Sequence, residues 1–136
     1  MVTDGYKEAA YEKLQFYKNI CNIRREIYRL TEKFNRIHVR LISQMRDAAR
    51  SAKQNIREGY TKDTAGEFSH SIKISKGSLV ELEGDMDDSR EDGLIEEKEY
   101  ILLKELISKT KYQIDRYLDS LYVLEKAGRW KKRFKR

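Results

Sequence analysis

Proline occurs nowhere in the 136 residues, and cysteine occurs once, as Cys21. Proline breaks helix interiors because it lacks an N–H and its ring collides with the preceding turn, so its absence permits long, uninterrupted helices. A single thiol excludes an intrachain disulfide, and with it the small secreted scaffolds that depend on such bonds. No apolar run approaches the roughly 20 residues that cross a bilayer, so no membrane partner is expected. The opening string MVTDGYKEAAYEK has no apolar core of the kind a secretory signal needs, and cytoplasmic residence is the expectation. Glycine is confined to seven positions, and Gly59, Gly66 and Gly77 match no phosphate-cradling spacing. Strand-like alternation is missing too, and no repeat or low-complexity linker divides the chain.

What the chain has in quantity is charge, at 38% of residues with a formal net charge of +6. The excess is localised. The last eight residues, RWKKRFKR, hold six cations (Arg129, Lys131, Lys132, Arg133, Lys135, Arg136) and no acid, and the rest of the chain balances at 23 of each sign. Such a tail points to a polyanion or an acidic partner surface. Trp130 and Phe134 are interleaved with those cations and suit stacking on RNA or DNA bases. The same rings suit burial against the body with the cations snorkelling outward, or a short anchor on a membrane surface.

The apolar residues follow helical spacing. Phe16, Ile20, Ile23, Ile27, Leu30 and Phe34 recur at intervals of 4, 3, 4, 3 and 4, which keeps one face apolar. Residues 4–13 carry a weaker stripe through Tyr6, Ala10 and Tyr17 that would extend this first helix. A second helix places Leu41, Met45, Ala48 and Ala52 on one face and Ile42, Ala49 and Ile56 on a neighbouring one. After a loop at residues 59–64, Thr64 with Glu67 three positions later has capping-box spacing. Phe68, Ile72, Ser75, Leu79, Leu82 and Met86 define a third helix that Gly93 closes. Tyr100, Leu103, Ile107, Thr110, Ile114, Tyr117, Leu121 and Leu124 define a fourth, closed by Gly128.

Long heptad-like helices with short connections favour antiparallel neighbours. The expected fold is all-α, an antiparallel up-down-up-down four-helix bundle over residues 1–128, with helices at about 14–34, 39–58, 65–92 and 96–126. Residues 129–136 follow as the basic tail. Leu102, Leu106 and Leu118 give the fourth helix a second apolar stripe, which fits either contacts between subunits or a broader core face.

Catalytic chemistry finds little to work with. Glu67-Phe68-Ser69-His70 has the Glu-x-x-His spacing of di-iron bundles, but the other histidine, His38, has Asn35 where the second glutamate belongs. The acidic stretch beginning at Asp85 puts Glu96 at the twelfth position of a calcium loop, yet Arg90 stands where the turn glycine belongs. Cys21 has no histidine one turn away, and Ser51, Ser75 and Ser78 have no nearby base. Neither an enzyme, a metal nor a cofactor is expected.

Charge patterning is more informative. Residues 81–99 contain ten acids against Arg90 and Lys98. Around the second helix the balance reverses, and Arg46, Arg50, Lys53 and Arg57 fall on one side at intervals of 4, 3 and 4. That row could follow a phosphate backbone, meet the acidic region of a neighbouring subunit in a head-to-tail ring, or be a solvated face.

The string Gln44-Met45-Arg46-Asp47-Ala48-Ala49-Arg50-Ser51, followed by Asn55-Ile56-Arg57-Glu58-Gly59, resembles the signature of the bacterial four-helix-bundle family also called 23S ribosomal RNA intervening-sequence proteins. The resemblance extends from Ile27-Tyr28-Arg29-Leu30-Thr31 through Glu67-Phe68, Lys76-Gly77-Ser78-Leu79-Val80-Glu81-Leu82-Glu83 and Asp92-Gly93-Leu94-Ile95, over roughly residues 11 to 125. It implies an up-down-up-down bundle, a ring-shaped homopentamer and no enzymatic activity. Related accessory variability determinant proteins of diversity-generating retroelements imply a basic barrel that binds a reverse transcriptase and its RNA. This chain departs from the pattern at Ala52-Lys53-Gln54, where a proline often stands, so a straighter second helix is expected. Physically the signature reads as packing: Ala48, Ala49 and Ser51 permit close approach to Gly77 and Ser78, with Asn55 and Glu58 capping a loop at Gly59.

Overall fold

The computed structural model describes residues 10–128, and among them every regular element is helical. Four long helices, α1 (Gln15–Thr31), α2 (Val39–Tyr60), α3 (Ala65–Glu91) and α4 (Glu97–Lys126), are accompanied by short 3-10 turns at Ala10–Lys13 and Arg36–His38. Each long helix touches its neighbours in chain order, α1 closes on α4, and neither diagonal pair is in close backbone contact. The apolar stripes meet in one core, where Ile20, Ile23, Ile27, Met45, Ile56, Phe68, Ile72, Leu79, Leu82, Met86, Ile107 and Ile114 are fully buried.

Contacting residues pair in inverse order along three of these helix couples. Between α2 and α3, Ser89 Oγ lies 3.6 Å from Met45 Sδ, Ser78 Oγ 2.9 Å from Ser51 Oγ, and Ser75 Oγ donates to the Ala52 carbonyl at 2.6 Å. Between α1 and α4, Asn19 Nδ2 donates to Gln113 Oε1 and Arg29 reaches Glu99, both at 2.9 Å. Between α3 and α4, Lys76 pairs with Asp115 at 2.7 Å and Arg90 with Glu97 at 2.8 Å.

Helix ends follow local chemistry. Thr64 Oγ1 accepts from the Glu67 N–H while Glu67 Oε1 accepts from the Thr64 N–H, a complete capping box at the start of α3. Gly93, at φ +75°, ends that helix with paired bonds from its own N–H to the Arg90 carbonyl and from the Leu94 N–H to that of Ser89. α1 ends at Thr31 instead of about 34, because the N–H groups of Lys33 and Phe34 turn back three residues and the Asn35 side chain caps the next turn. Residues 10–13 do not extend the helix, and residues 4–9, with Tyr6, lie outside the described residues. Leu14 is extended at ψ 131°, which separates the Ala10–Lys13 turn from α1.

On α2 and the face of α3 against it, one open alternative is decided and three expectations are corrected. Both apolar rows of α2 face the core together, Met45, Ala48 and Ala52 buried with Ala49 and Ile56 while Leu41 and Ile42 are half-buried, so on α2 the second row is a broader core face. Gly59 lies inside the helix instead of opening a loop, and its α-carbon packs directly on Ser71. Asn55 Nδ2 donates back to the Ser51 carbonyl and hydroxyl within its own helix and caps nothing. Small-residue packing against α3 is present, but it uses Ser71, Ser75 and Ser78. Gly77 is exposed and has open space around it.

Candidate nucleic-acid interface

Helical spacing puts Arg46, Arg50, Lys53 and Arg57 on one flank of α2, and the structure shows which flank it is. Arg46 Nε donates to Thr31 Oγ1 at 2.9 Å and the guanidinium lies 4.3 Å over the Tyr28 ring, both on α1. At the other end of the row, the Arg57 charge acts on the Tyr17 phenol, also on α1. The row therefore follows the α1–α2 seam for roughly 16 Å, at 1.5 Å of rise per residue. Arg50 and Arg57 are exposed and Lys53 is half-buried. Arg50 and Lys53 carry no hydrogen bond or ion pair among the described residues.

The four cations are thus not equivalent. Arg46 also reaches the Tyr28 carbonyl at 3.4 Å, so it ties α2 to the last turn of α1. It positions the seam, while Arg50, Lys53 and Arg57 present charge to solvent. The structure adds two residues to the set. Arg24 stacks on the same Tyr28 ring at 5.0 Å, so two guanidinium groups share one aromatic ring that remains 37% exposed. The signal for this was present in the sequence as an arginine and a tyrosine four residues apart on one helix face.

Two acids adjoin this row in sequence: Glu58, exposed, follows Arg57, and Asp47 lines a groove on the α3 side of α2 with Glu81 and Asp85. Burial, then the neighbouring Asp88 and Glu81, push the Asp85 carboxyl above its ordinary value. On the α3–α4 seam Glu83 pairs with Lys111 and Lys104, and Asp87 accepts from Tyr100 and Lys104. Those hydrogen bonds, from Tyr100 first and then Lys104, hold the Asp87 carboxyl below its ordinary value. Because α1 to α4 contact one another in cyclic order, the basic α1–α2 seam lies across the body from this ion-paired seam.

The remaining sequence candidates fall outside any site. The Glu67 carboxylate is committed to the capping box and His70 is exposed. Among the described residues no three His, Cys, Asp or Glu side chains are grouped so as to hold a metal ion. Cys21 is half-buried beside Tyr17, whose phenol is raised well above its ordinary value by burial and by that thiol. The tail candidates Arg129, Trp130, Lys131, Lys132, Arg133, Lys135 and Arg136 lie outside the described residues. Among the described residues no helix is long and apolar enough to cross a membrane.

A search of curated proteins finds no match to this chain. A family model described as 23S rRNA-intervening sequence protein matches residues 12–116, which takes in α1, α2, α3 and the greater part of α4. With that share of its length matched, the chain belongs to the 23S rRNA-intervening sequence protein family.

Proposed function

We propose that this protein is a non-catalytic, homo-oligomeric accessory protein that holds nucleic acid along its α1–α2 seam. The observation that carries the reading is the row Arg50, Lys53 and Arg57, presented to one side without an acid among them and anchored by the Arg46–Tyr28–Arg24 stack. Their rises along α2 are about 4.5 and 6 Å, close enough to the spacing of neighbouring phosphates for one strand to be followed. Each cation that neutralises a phosphate releases a counterion, which makes the binding salt-dependent. The family name refers to ribosomal RNA, which favours RNA as the polyanion. The tail, with Arg129, Lys131, Lys132, Arg133, Lys135 and Arg136 around Trp130, would add charge and stacking to the same ligand.

On this reading the subunit is an antiparallel up-down-up-down bundle, supported by the inverse pairing of residues between α2 and α3, α1 and α4, and α3 and α4. It assembles into a ring, a homopentamer by family resemblance, and works in the cytoplasm. Exposed Ile101 and Leu102 support a further protein contact.

The test is fluorescence anisotropy of a short labelled single-stranded RNA with three proteins: the natural chain, an R50A/K53A/R57A variant and a chain ending at Gly128. Both altered proteins are expected to bind more weakly, and a chain altered in both respects to lose binding. Undiminished affinity in all of them, with retention of a reverse transcriptase or other protein in the absence of nucleic acid, would replace this reading with a protein-docking one.

A further inference from the structure

Two aliphatic side chains stand almost fully in solvent at the start of α2. Ile37 is 80% exposed and Val39 62%, and they flank His38 in the connection from α1. Lys33, Arg36 and Arg40 adjoin them in sequence, all exposed, and Glu32 is the one acid between residues 32 and 40. Neighbouring exposed aliphatics gain nothing from the fold that carries them, and exposing them is unfavourable.

A complementary surface lies at the same end of the molecule. Between the last turns of α1 and the first turns of α4 runs a groove of about 500 Å³ floored by Leu102, Leu103 and Leu106. Leu102 is 58% exposed, so the floor is open. Its rim holds Glu26, Glu96 and Glu99 with Arg29 and Lys98. Arg29 is already held between Glu26 and Glu99, at 2.6 and 2.9 Å. That leaves Glu96, together with Glu91 and Asp92 in the adjoining turn, as acids without an ion-pair partner among the described residues.

We infer that the Ile37–Val39 projection of one copy seats in the α1–α4 groove of a second copy, with Arg36 and Arg40 facing the unpaired acids around Glu96. The inference rests on the homo-oligomeric reading above and specifies its contact. The two surfaces differ, so the contact is head-to-tail: each copy offers one projection and one groove, and such contacts close into a ring when the rotation permits. Projection and groove lie at one end of the helices, so rotation about an axis parallel to the helices joins them without sliding one copy along the other. A protein of another kind in the groove is the competing occupant.

Native mass spectrometry on the full chain tests this, with two variants that alter only exposed positions and whose folding is checked by circular dichroism. I37E/V39E destroys the projection and L102K destroys the groove. Each alone is expected to weaken assembly at least tenfold in dissociation constant and leave monomers at concentrations where the natural chain is assembled. Mixing them is the decisive step. The L102K protein keeps its projection and the I37E/V39E protein keeps its groove, so the mixture is expected to form one-to-one heterodimers and nothing larger. Variants that assemble like the natural chain, or a mixture that stays monomeric, overturn the inference and leave the oligomeric reading standing. A natural chain that is itself monomeric removes both.

Discussion

Replacing Gly59 by alanine tests a close contact between α2 and α3. In an isolated helix this change is favourable by about 1 kcal/mol, because glycine gives up more backbone freedom on folding. Here a β-carbon would stand 2.3 Å from Ser71 Cβ, 2.7 Å from Ser71 Oγ and 3.2 Å from Phe68 Cδ1. The first of these is about 1 Å short of ordinary carbon contact, and Ser71 Cβ is fixed to its own backbone and cannot swing aside. The helices must separate. Overpacking of this kind costs about 1–3 kcal/mol. Separation also stretches the Ser75–Ala52 and Ser78–Ser51 hydrogen bonds, which contribute about 1 kcal/mol each. The net expectation is a loss of about 2 kcal/mol, or a fall in Tm of roughly 6–10 °C for a chain of this size. Thermal and urea unfolding followed by circular dichroism measure it. Gly84, an exposed position in α3 with open space around it, is the control, and G84A is expected to gain about 1 kcal/mol. Adding Ser71→Gly to G59A should recover much of the loss. A G59A protein at least as stable as the natural chain would refute the close approach of α2 to α3.

Other substitutions separate the roles assigned above. Arg46→Ala should cost about 1–2 kcal/mol of stability, through its bond to Thr31 and its stacking on Tyr28, and weaken RNA binding less than Arg50→Ala. Arg50→Ala should leave the melting curve unchanged, so melting and anisotropy on both variants give the comparison. Thr64→Ala removes the side-chain cap of α3 and should cost about 1 kcal/mol in urea unfolding. Asp85 has a folded-state pKa raised chiefly by burial, so its ionisation destabilises the fold as pH rises through that value, and the penalty is absent below the unfolded value. Asp85→Asn should therefore melt higher than the natural chain at neutral pH, with the gap closing as pH falls through the carboxylate range.

Much of the fold could be read from spacing because each long helix buries a stripe, and a stripe is a local pattern. Ile20, Ile23 and Ile27, or Leu79, Leu82 and Met86, announce themselves within one or two turns. The Thr64–Glu67 box and the Gly93 cap were legible for the same reason. Contacts between distant segments were not. Gly59 looks like a loop glycine until Ser71 is known to sit against it. Leu14 carries nothing in its own neighbourhood to show that the helical stripe stops there. The site shows the same division. Helical spacing revealed the row Arg46, Arg50, Lys53 and Arg57, but Arg46 takes its partners from Thr31 and Tyr28 on the preceding helix. That contact makes Arg46 an anchor and brings Arg24 into the seam.

On the proposed function, the α1–α2 seam meets a phosphate backbone. The most direct test of this is the dependence of RNA affinity on salt, from about 50 to 200 mM, for the natural chain and the R50A/K53A/R57A variant. Three lost phosphate contacts to a single strand should reduce the steepness of log K against log salt by about 2, at about 0.7 per contact. A slope shared by both proteins, or affinity that does not change with salt, would contradict the account and move the ligand off the seam.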